Sequence, residues 1–158
     1  MDWLRRFMVA PDGTWSERRL IIFTEYEDTR RWLERRIREA IEGTDRADDR
    51  IGIFTGSTSM QRREALKQAF NADPAKEPIR ILICTDAARE GINLQARCAD
   101  LVHFDLPWNP SRLEQRNGRI DRKLQPSDEV RCSYFIYTQR PEDVVLKALV
   151  EKTTTIRQ

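Results

Sequence analysis

The chain has 158 residues, of which 39% are hydrophobic and 34% are charged, a composition typical of a globular domain with a buried core. Its 28 basic residues nearly match its 26 acidic ones, so the net charge of +2 does not by itself indicate nucleic-acid binding. No apolar run approaches the roughly 20 residues of a membrane span, and no signal-peptide core follows the N-terminus. The 3 cysteines show no CxxC pattern and are typical of reduced thiols. We therefore expect a cytoplasmic protein without a membrane partner.

Apolar runs alternate with helical patterns along most of the chain. The first 18 residues lack a clear periodicity, so we expect a lead-in segment at 1–18 and a domain at 19–158. The apolar runs predict strands at 20–23, 51–54, 79–84, 101–104 and 130–137. The helical patterns predict helices at 26–41, after 58, after 109 and at 141–152. Continuously apolar strands that alternate with helices are typical of a parallel sheet covered on both faces.

Two of the predicted helices begin with recognisable capping residues. Thr58 and Gln61 fit a capping box at the start of the second helix. Asn109 suits the cap of the third helix, and Pro110 suits its first turn. Trp108, directly before this cap, is expected to pack between strand and helix.

Polar residues follow the first three predicted strands. Thr24 follows the first, Thr55 and Gly56 follow the second, and Thr85 and Asp86 follow the third. Because the carboxyl ends of parallel strands share one edge of a sheet, we expect these residues to lie there together. Hydroxyl groups and backbone N–H groups at helix starts suit phosphate binding. Capping of the strand end is the alternative role for each threonine.

The third predicted helix carries a polar trio. Gln115, Arg119 and Arg122 are four and three residues apart, so an uninterrupted helix would place them on one narrow face. The residues on roughly the opposite face are apolar and can pack on a core: Leu113, Ile120 and Leu124. The trio could point at an anion. The alternative is a solvated basic face whose arginines pair with Glu114 or Asp121.

The motifs of a complete P-loop ATPase are missing. The 6 glycines are followed by Thr, Thr, Ile, Ser, Ile and Arg, so no glycine precedes the lysine of a GxxxxGK[ST] loop. The Asp128–Glu129 pair follows Gln-Pro-Ser rather than an apolar strand, which excludes a Walker B strand there. No cluster of histidines, cysteines and carboxylates has metal-ligand spacing, and no metal site is expected. Alone, the chain cannot be a conventional P-loop ATPase.

The motif strings resemble those of superfamily 2 helicases. TDAAREGINLQ (85–95) resembles motif V and QRNGRIDR (115–122) resembles motif VI, while Thr24 and the segment 55–63 look like motifs IV and IVa. The sequence of these motifs is most similar to the Swi/Snf-like branch, and especially to its bacterial RNA polymerase-recycling ATPases and phage-defence translocases. The resemblance spans roughly residues 20–137.

The resemblance implies a fold and a nucleotide site. The fold would be an α/β, three-layer RecA-like domain with a mainly parallel sheet flanked by helices, a P-loop NTPase-like lobe without the P-loop. In the C-terminal lobe of such a motor, Arg119 and Arg122 would be arginine fingers, with Gly91, Asn93 and Gln115 also at the nucleotide. ATP and Mg²⁺ would be bound mainly by an N-terminal lobe that this sequence lacks. The isolated domain is therefore expected to hold no cofactor and to be inactive as an ATPase.

The resemblance also implies a nucleic-acid track. The partners would be the N-terminal lobe and nucleic acid, with double-stranded DNA expected. The residues expected to contact it are Thr24, Thr55, Gly56, Arg62 and Thr85. Two alternatives remain: a stand-alone nucleic-acid-binding module derived from a helicase lobe, against which intact Arg119 and Arg122 argue, and a protein-interaction lobe. An exposed apolar patch beside the final helix would favour the second alternative.

Overall fold

The computed structural model describes residues 2–86, 93–122, 125–135, 139 and 143. The helices in these residues are α1 (Asp2–Met8), α2 (Glu27–Ile41), α3 (Met60–Asn71) and α4 (Pro110–Asn117), with a 3₁₀ turn at Ala47–Asp49. The strands are β1 (Leu20–Thr24), β2 (Ile51–Phe54), β3 (Ile81–Thr85), β4 (Asp100–His103) and β5 (Arg131–Tyr134). No helix in this part of the chain is long and apolar enough to cross a membrane.

The five strands form one sheet in the order β2-β3-β1-β4-β5, and every neighbouring pair is parallel. Leu20 at the start of β1 lies opposite Ile81 of β3 and Asp100 of β4. This register aligns the carboxyl ends of the strands along one edge. The prediction of a mainly parallel sheet is confirmed.

Successive side chains of a strand point to opposite faces, and the apolar runs fill both faces. From β1, Ile21 and Phe23 belong to one hydrophobic cluster, which also contains Leu66 and Phe70 of α3. Leu20 and Ile22 belong to the other cluster, which is covered by α1 and α2. Full burial of one such aliphatic side chain contributes roughly 1.5–3 kcal/mol. Helices therefore flank the sheet on both sides, which confirms the three-layer α/β fold.

The helices follow from their apolar spacing and their caps. In α2, Leu33, Ile37 and Ile41 recur every four residues and are all buried. The predicted cap of α3 is wrong: Ser59 is the cap, and its hydroxyl accepts from the backbone N–H of Arg62. Thr58 instead accepts from the N–H of Thr55, because its hydroxyl lies inside the loop that precedes the helix.

The lead-in segment packs on the same core as the rest of the chain. Leu4 and Met8 of α1 are fully buried in the cluster that contains Leu33 and Ile37 of α2. The division between residues 18 and 19 stays a prediction. The predicted closing helix at 141–152 lies outside the described residues except for position 143, and so does the end of the predicted strand at 130–137.

Candidate functional site

The carboxyl ends of four strands bring the predicted threonines to one edge of the sheet. We call Thr24, Thr55, Thr85, Asp86 and Asp105 the strand-end edge. The three threonines are largely buried, with exposed fractions of 0%, 7% and 4%. The structure therefore places them together, as expected, but it turns their hydroxyl groups mainly into the protein.

Thr24 is the most enclosed of the predicted contacts. Its hydroxyl donates to one carboxylate oxygen of Asp105, and the next N–H, of Glu25, donates to both oxygens of that carboxylate at 2.9 and 3.0 Å. A hydroxyl group has one proton to donate. A phosphate could receive it only after the bond to Asp105 breaks. The observed contact is the alternative role, in which Thr24 caps the end of its strand. The nucleic-acid role of Thr24 stays a prediction.

The side chain of Arg63 holds the loop after β2 in place, and two of the predicted contact residues remain exposed beside it. Arg63 donates to the carbonyl oxygens of Thr58 at 2.8 Å, Gly56 at 2.9 Å and Thr55 at 3.2 Å. Gly56 is exposed at the tip of this loop, and Arg62 projects as an exposed side chain from the first turn of α3. Gly56 and Arg62 are therefore accessible to a partner, while Arg63 maintains the loop.

Arg116, which the sequence analysis missed, joins the strand ends to α4. Its side chain is 2% exposed, and each of its five N–H groups has an acceptor. Nε and Nη2 donate to the two carboxylate oxygens of Asp86 at 2.7 and 2.8 Å. Nη2 also donates to the Asp105 carboxylate at 3.3 Å, and Nη1 donates to the Asp105 carbonyl at 2.7 Å and faces Nδ1 of His103 at 3.5 Å.

A sequence signal for Arg116 does exist. The most deeply buried side chains of this region, each no more than 3% exposed, recur at spacings of three and four: Leu113, Arg116 and Ile120. An arginine that occupies the apolar stripe of a helix must find buried acceptors. Asp86 and Asp105 supply them, 30 and 11 residues away in the sequence.

His103 is a neutral core residue beside this network. It is 1% exposed, and its Nε2 lies 2.7 Å from the amide oxygen of Asn117, so we assign the proton to Nε2 and leave Nδ1 as the acceptor facing Arg116. Burial, and then the charge of Arg116, lower the pKa of His103 to about 4, against the opposing effect of the hydrogen bond that Nε2 donates to Asn117. The histidine therefore carries no charge at neutral pH.

The predicted helical face of Gln115, Arg119 and Arg122 is wrong. The helix α4 ends at Asn117, and Gly118 is its C-cap with φ −62° and ψ 0°. The following N–H groups of Arg119 and Ile120 bond three residues back, at 3.1 Å each, which tightens the chain into turns. Arg119 and Arg122 lie on these turns, because glycine and the tight turn end the helix before it reaches them.

The turns after α4 pack against the segment that begins at Asn93. Nη1 of Arg122 donates to the side-chain oxygen of Asn93, and the N–H of Leu94 donates to the carbonyl of Arg119 at 3.2 Å. Leu94 and Ile120 are both fully buried in the cluster on the α3 side of the sheet. We call Asn93, Arg119 and Arg122 the arginine surface.

The neighbours of the arginine surface fix its shape. The side-chain amide of Asn71, at the end of α3, donates to the Asn93 carbonyl at 2.7 Å, and its oxygen accepts from the N–H of Ala96 at 3.2 Å. Gln115 is exposed on α4. Gly91 lies outside the described residues, so its predicted place at the nucleotide stays a prediction.

The electrostatics of the arginine surface suit an anion. Arg119 is 9% exposed, and burial together with the charge of Arg122 lowers the pKa of its guanidinium group. A bound phosphate would offset both effects. Asp86 and Asp105 are engaged by Arg116, and the described residues contain no cluster of three metal-ligating side chains. The arginine surface therefore offers positive charge to which a phosphate group could bind.

Two exposed aromatic side chains flank the strand-end edge. Trp108 is 67% exposed and Tyr26 is 61% exposed. The expectation that Trp108 packs between strand and helix is wrong, because the turn before α4 carries its side chain outward. Tyr26 directly follows Glu25, whose backbone N–H donates to the Asp105 carboxylate.

An apolar groove lies at a different place, between α1 and β5. It has a volume of about 220 Å³ and is lined mainly by aromatic and aliphatic side chains, among them Trp3, Phe7 and Phe135. Trp3 and Phe135 are each 40% exposed. An exposed apolar patch is therefore present. The protein-interaction alternative would place the patch beside the predicted final helix, which lies outside the described residues except for position 143.

Comparisons with known proteins identify the family of this chain. Residues 2–123 match the helicase conserved C-terminal domain. The chain is 37% identical over 134 residues to the uncharacterized ATP-dependent helicase YqhH of Bacillus subtilis (strain 168). This alignment covers 85% of this chain and 22% of YqhH. The chain is also 32% identical over 122 residues to the RNA polymerase-associated protein RapA of Yersinia pestis (strain Pestoides F). This alignment covers 77% of this chain and 11% of RapA.

A solved structure supports the fold. The C-terminal part of the Fun30 ATPase domain superposes with a TM-score of 0.72 at 22% identity, covering 92% of this chain and 42% of that one. The chain spans only a small part of the length of its curated relatives. The family match covers most of the chain, and RapA is of the Swi/Snf-like superfamily 2 type that the motifs resemble. The chain belongs to the helicase conserved C-terminal domain family, as a RecA-like lobe of the Swi/Snf-like branch of superfamily 2.

Proposed function

We propose that this chain is the C-terminal motor lobe of an ATP-dependent translocase on double-stranded DNA, and that Arg119 and Arg122 are its arginine fingers. The observation that carries the proposal is the contact between the two motif segments. Arg122 and the carbonyl of Arg119 are held by Asn93 and Leu94, so residues matching motif V and motif VI form one arginine surface. The name of YqhH, an ATP-dependent helicase, supports the use of ATP.

The arginine surface performs one part of phosphoryl transfer. Arg119 and Arg122 would stabilise the negative charge that is spread over the γ-phosphoryl oxygens of ATP in the transition state, with ATP and Mg²⁺ held mainly by the N-terminal lobe. Arg122 is exposed and Arg119 is next to it, so their guanidinium groups can approach that charge when the two lobes close. The hydrogen bond to Asn93 holds Arg122 on the surface in advance, which lowers the entropic cost of alignment.

Nucleic acid would lie along the strand-end edge. Gly56 is exposed directly after Thr55, Arg62 is exposed on the first turn of α3, and exposed Tyr26 lies beside Thr24. Contacts from hydroxyl groups, backbone N–H groups and arginine to phosphates carry no sequence information, which suits a motor that moves along a backbone. The aromatic side chain adds apolar surface for sugars or bases.

The decisive variant is Arg122→Ala in the full-length protein that carries this domain. Removing a transition-state charge partner should lower the nucleic-acid-stimulated kcat for ATP hydrolysis by at least about 100-fold. ATP affinity, measured with a fluorescent analogue, should change by less than about 3-fold, because the fingers act mainly in the transition state. Arg97→Ala, which removes an exposed arginine close to Asn93 in sequence, is the matched control and should retain wild-type turnover. Undiminished turnover of the Arg122 variant would exclude the finger role.

A further inference from the structure

We propose that Arg116 is a positioning residue that couples occupation of the strand-end edge to the placement of the arginine surface. The inference rests on the proposed function and adds to it a regulatory part of the same site. Arg116 itself is buried, so it contacts neither nucleotide nor nucleic acid in this arrangement. Its effect would be on how strongly nucleic acid stimulates hydrolysis.

The first step is the set of strands that Arg116 joins. Asp86 directly follows β3, and Asp105 lies two residues beyond β4. Through the carboxylate of Asp105, Arg116 also reaches Thr24 at the end of β1 and the N–H of Glu25. One side chain on α4 thus contacts, directly or through a single carboxylate, the ends of three adjacent strands. A planar guanidinium group suits this role because its five donors have fixed directions.

A second contact ties the same helix to the same edge. Arg112 on α4 donates to the side chain of Glu25 at 2.9 Å, one helical turn before Arg116. Glu25 donates its own N–H to Asp105. The position of α4 therefore depends on where the end of β1 holds Glu25 and Asp105.

The next step is the competition at Asp105. Its carboxylate accepts from Thr24, from the N–H of Glu25 and from Arg116. A nucleic-acid phosphate that approached Thr24 would compete for the donors of Thr24 and Glu25 and would repel the carboxylate. Asp105 would then be left to Arg116, whose remaining bonds to Asp86 would have to adjust.

The last step is the distance from Arg116 to the fingers. Arg119 and Arg122 follow Arg116 by three and six residues, and the carbonyl of Arg116 accepts the N–H of Arg119 at 3.1 Å. The turn contains Gly118, where an added Cβ would lie 3.2 Å from the carbonyl of Glu114. Because this turn is tight and Arg119 is hydrogen-bonded directly to Arg116, a shift of Arg116 would also move the backbone of Arg119. A misplacement of about 1 Å can cost roughly 100-fold in rate.

The test is the ratio of stimulated to basal ATPase in the full-length protein, with Arg116→Lys. Lysine keeps the charge but cannot donate to both oxygens of Asp86 and to Asp105 together. We expect the kcat stimulated by duplex DNA to fall between about 10- and 100-fold, with basal turnover, the KM for ATP and the Kd for DNA within about 3-fold of wild type. An equal fall in basal and stimulated turnover, or unchanged stimulation, would overturn the coupling.

Arg80→Lys is the matched control for the loss of a buried arginine. Arg80 is 5% exposed and donates to the carbonyls of Ser16, Pro74 and Glu77 at 3.0, 2.7 and 2.6 Å, directly before β3 at the opposite end of the strand. This variant should lower the melting temperature without changing the stimulation ratio. A similar fall in the ratio would assign the Arg116 effect to general destabilisation and overturn the proposal.

A second variant keeps the proposal testable where Arg116→Lys fails to fold. Asp105→Asn retains the shape of the side chain and one carbonyl oxygen, and its site is less buried than that of Arg116. It should also lower the stimulation ratio, and a wild-type ratio would overturn the coupling.

The two proposals fail in different ways. Absence of duplex-stimulated turnover in the wild-type protein would overturn both the proposed function and the coupling. If stimulation is lost in Arg122→Ala but retained in Arg116→Lys and Asp105→Asn, only the coupling is overturned.

Discussion

At the scale of single residues, His103 gives the buried network at α4 a dependence on pH. Its imidazole is neutral in the fold because burial and the charge of Arg116 lower its pKa to about 4, from its ordinary value of 6.5. The unfolded chain therefore binds more protons than the folded chain between these pH values. The stabilising contribution is complete above about pH 6.5 and is lost as the pH falls toward 4.

The variant His103→Gln tests this dependence. Gln can still donate an N–H toward Asn117 but does not titrate. Between pH 7 and pH 4.5 the wild-type chain should lose up to roughly 3 kcal/mol more of its free energy of unfolding than the variant does. Urea unfolding at several pH values measures both slopes, and parallel slopes would contradict a neutral, buried His103.

Thr55 provides the residue-scale test of the nucleic-acid track. Thr55→Ala removes a hydroxyl that lies 2.9 Å from Ser57 and 3.2 Å from Thr58, beside exposed Gly56. Duplex binding at low salt should weaken by about 2- to 10-fold, the worth of one hydrogen bond, and equally for all sequences. The control Thr44→Ala removes a buried hydroxyl that donates to the carbonyl of Ile41 and should not affect binding. A loss confined to certain DNA sequences would indicate base reading instead.

The sequence predicted some of these residues and missed others for a physical reason. The residues of motif V and motif VI that contact each other, Asn93 and Arg122, are recognisable because their order and types are characteristic. Arg116 stands within the same string, but its role depends on Asp86 and Asp105, whose positions follow only from the sheet. A local pattern contains no information about which distant carboxylates meet a buried charge.

At the scale of elements, α4 shows what caps can and cannot predict. Its start was predicted, because Asn109 followed by Pro110 suits a helix N-terminus and the Asn109 side chain accepts from the N–H of Ser111 at 2.9 Å. Its end was not predicted, since the spacing of Gln115, Arg119 and Arg122 suggested a longer helix. The strand positions were predicted to within two residues at their starts, because each is an apolar run. The spatial order of the strands followed only from the structure.

The capping of α4 can be tested by Asn109→Ala. Loss of the side-chain acceptor leaves the N–H of Ser111 without its cap and should destabilise the chain by about 1 kcal/mol. Ser111→Ala is the control, because it leaves the Asn109 cap bond to the backbone N–H in place. Thermal or urea unfolding of both variants gives the comparison. A stability loss equal in the two variants would mean that the Asn109 side chain does not cap the helix.

At the scale of the whole molecule, the fold separates two kinds of surface and joins them through one helix. The strand-end edge holds three largely buried threonines beside exposed Gly56, and it is the surface where we propose that nucleic acid binds, while the arginine surface lies on the α3 side of the sheet. The helix α4 touches both, through Arg116 and through the turns that follow Gly118. Under the proposed function, this arrangement would couple closure on a nucleotide to movement along nucleic acid.

Displacement of a triplex-forming oligonucleotide from duplex DNA tests the central claim most directly. The full-length protein is added to a duplex carrying the bound third strand, with ATP or with a non-hydrolysable analogue. We predict that the wild-type protein releases the third strand only with ATP, and that Arg122→Ala binds the duplex but fails to release it. Release by Arg122→Ala, or an intact triplex in the presence of wild-type protein hydrolysing ATP, would contradict a duplex-DNA motor driven by these arginines.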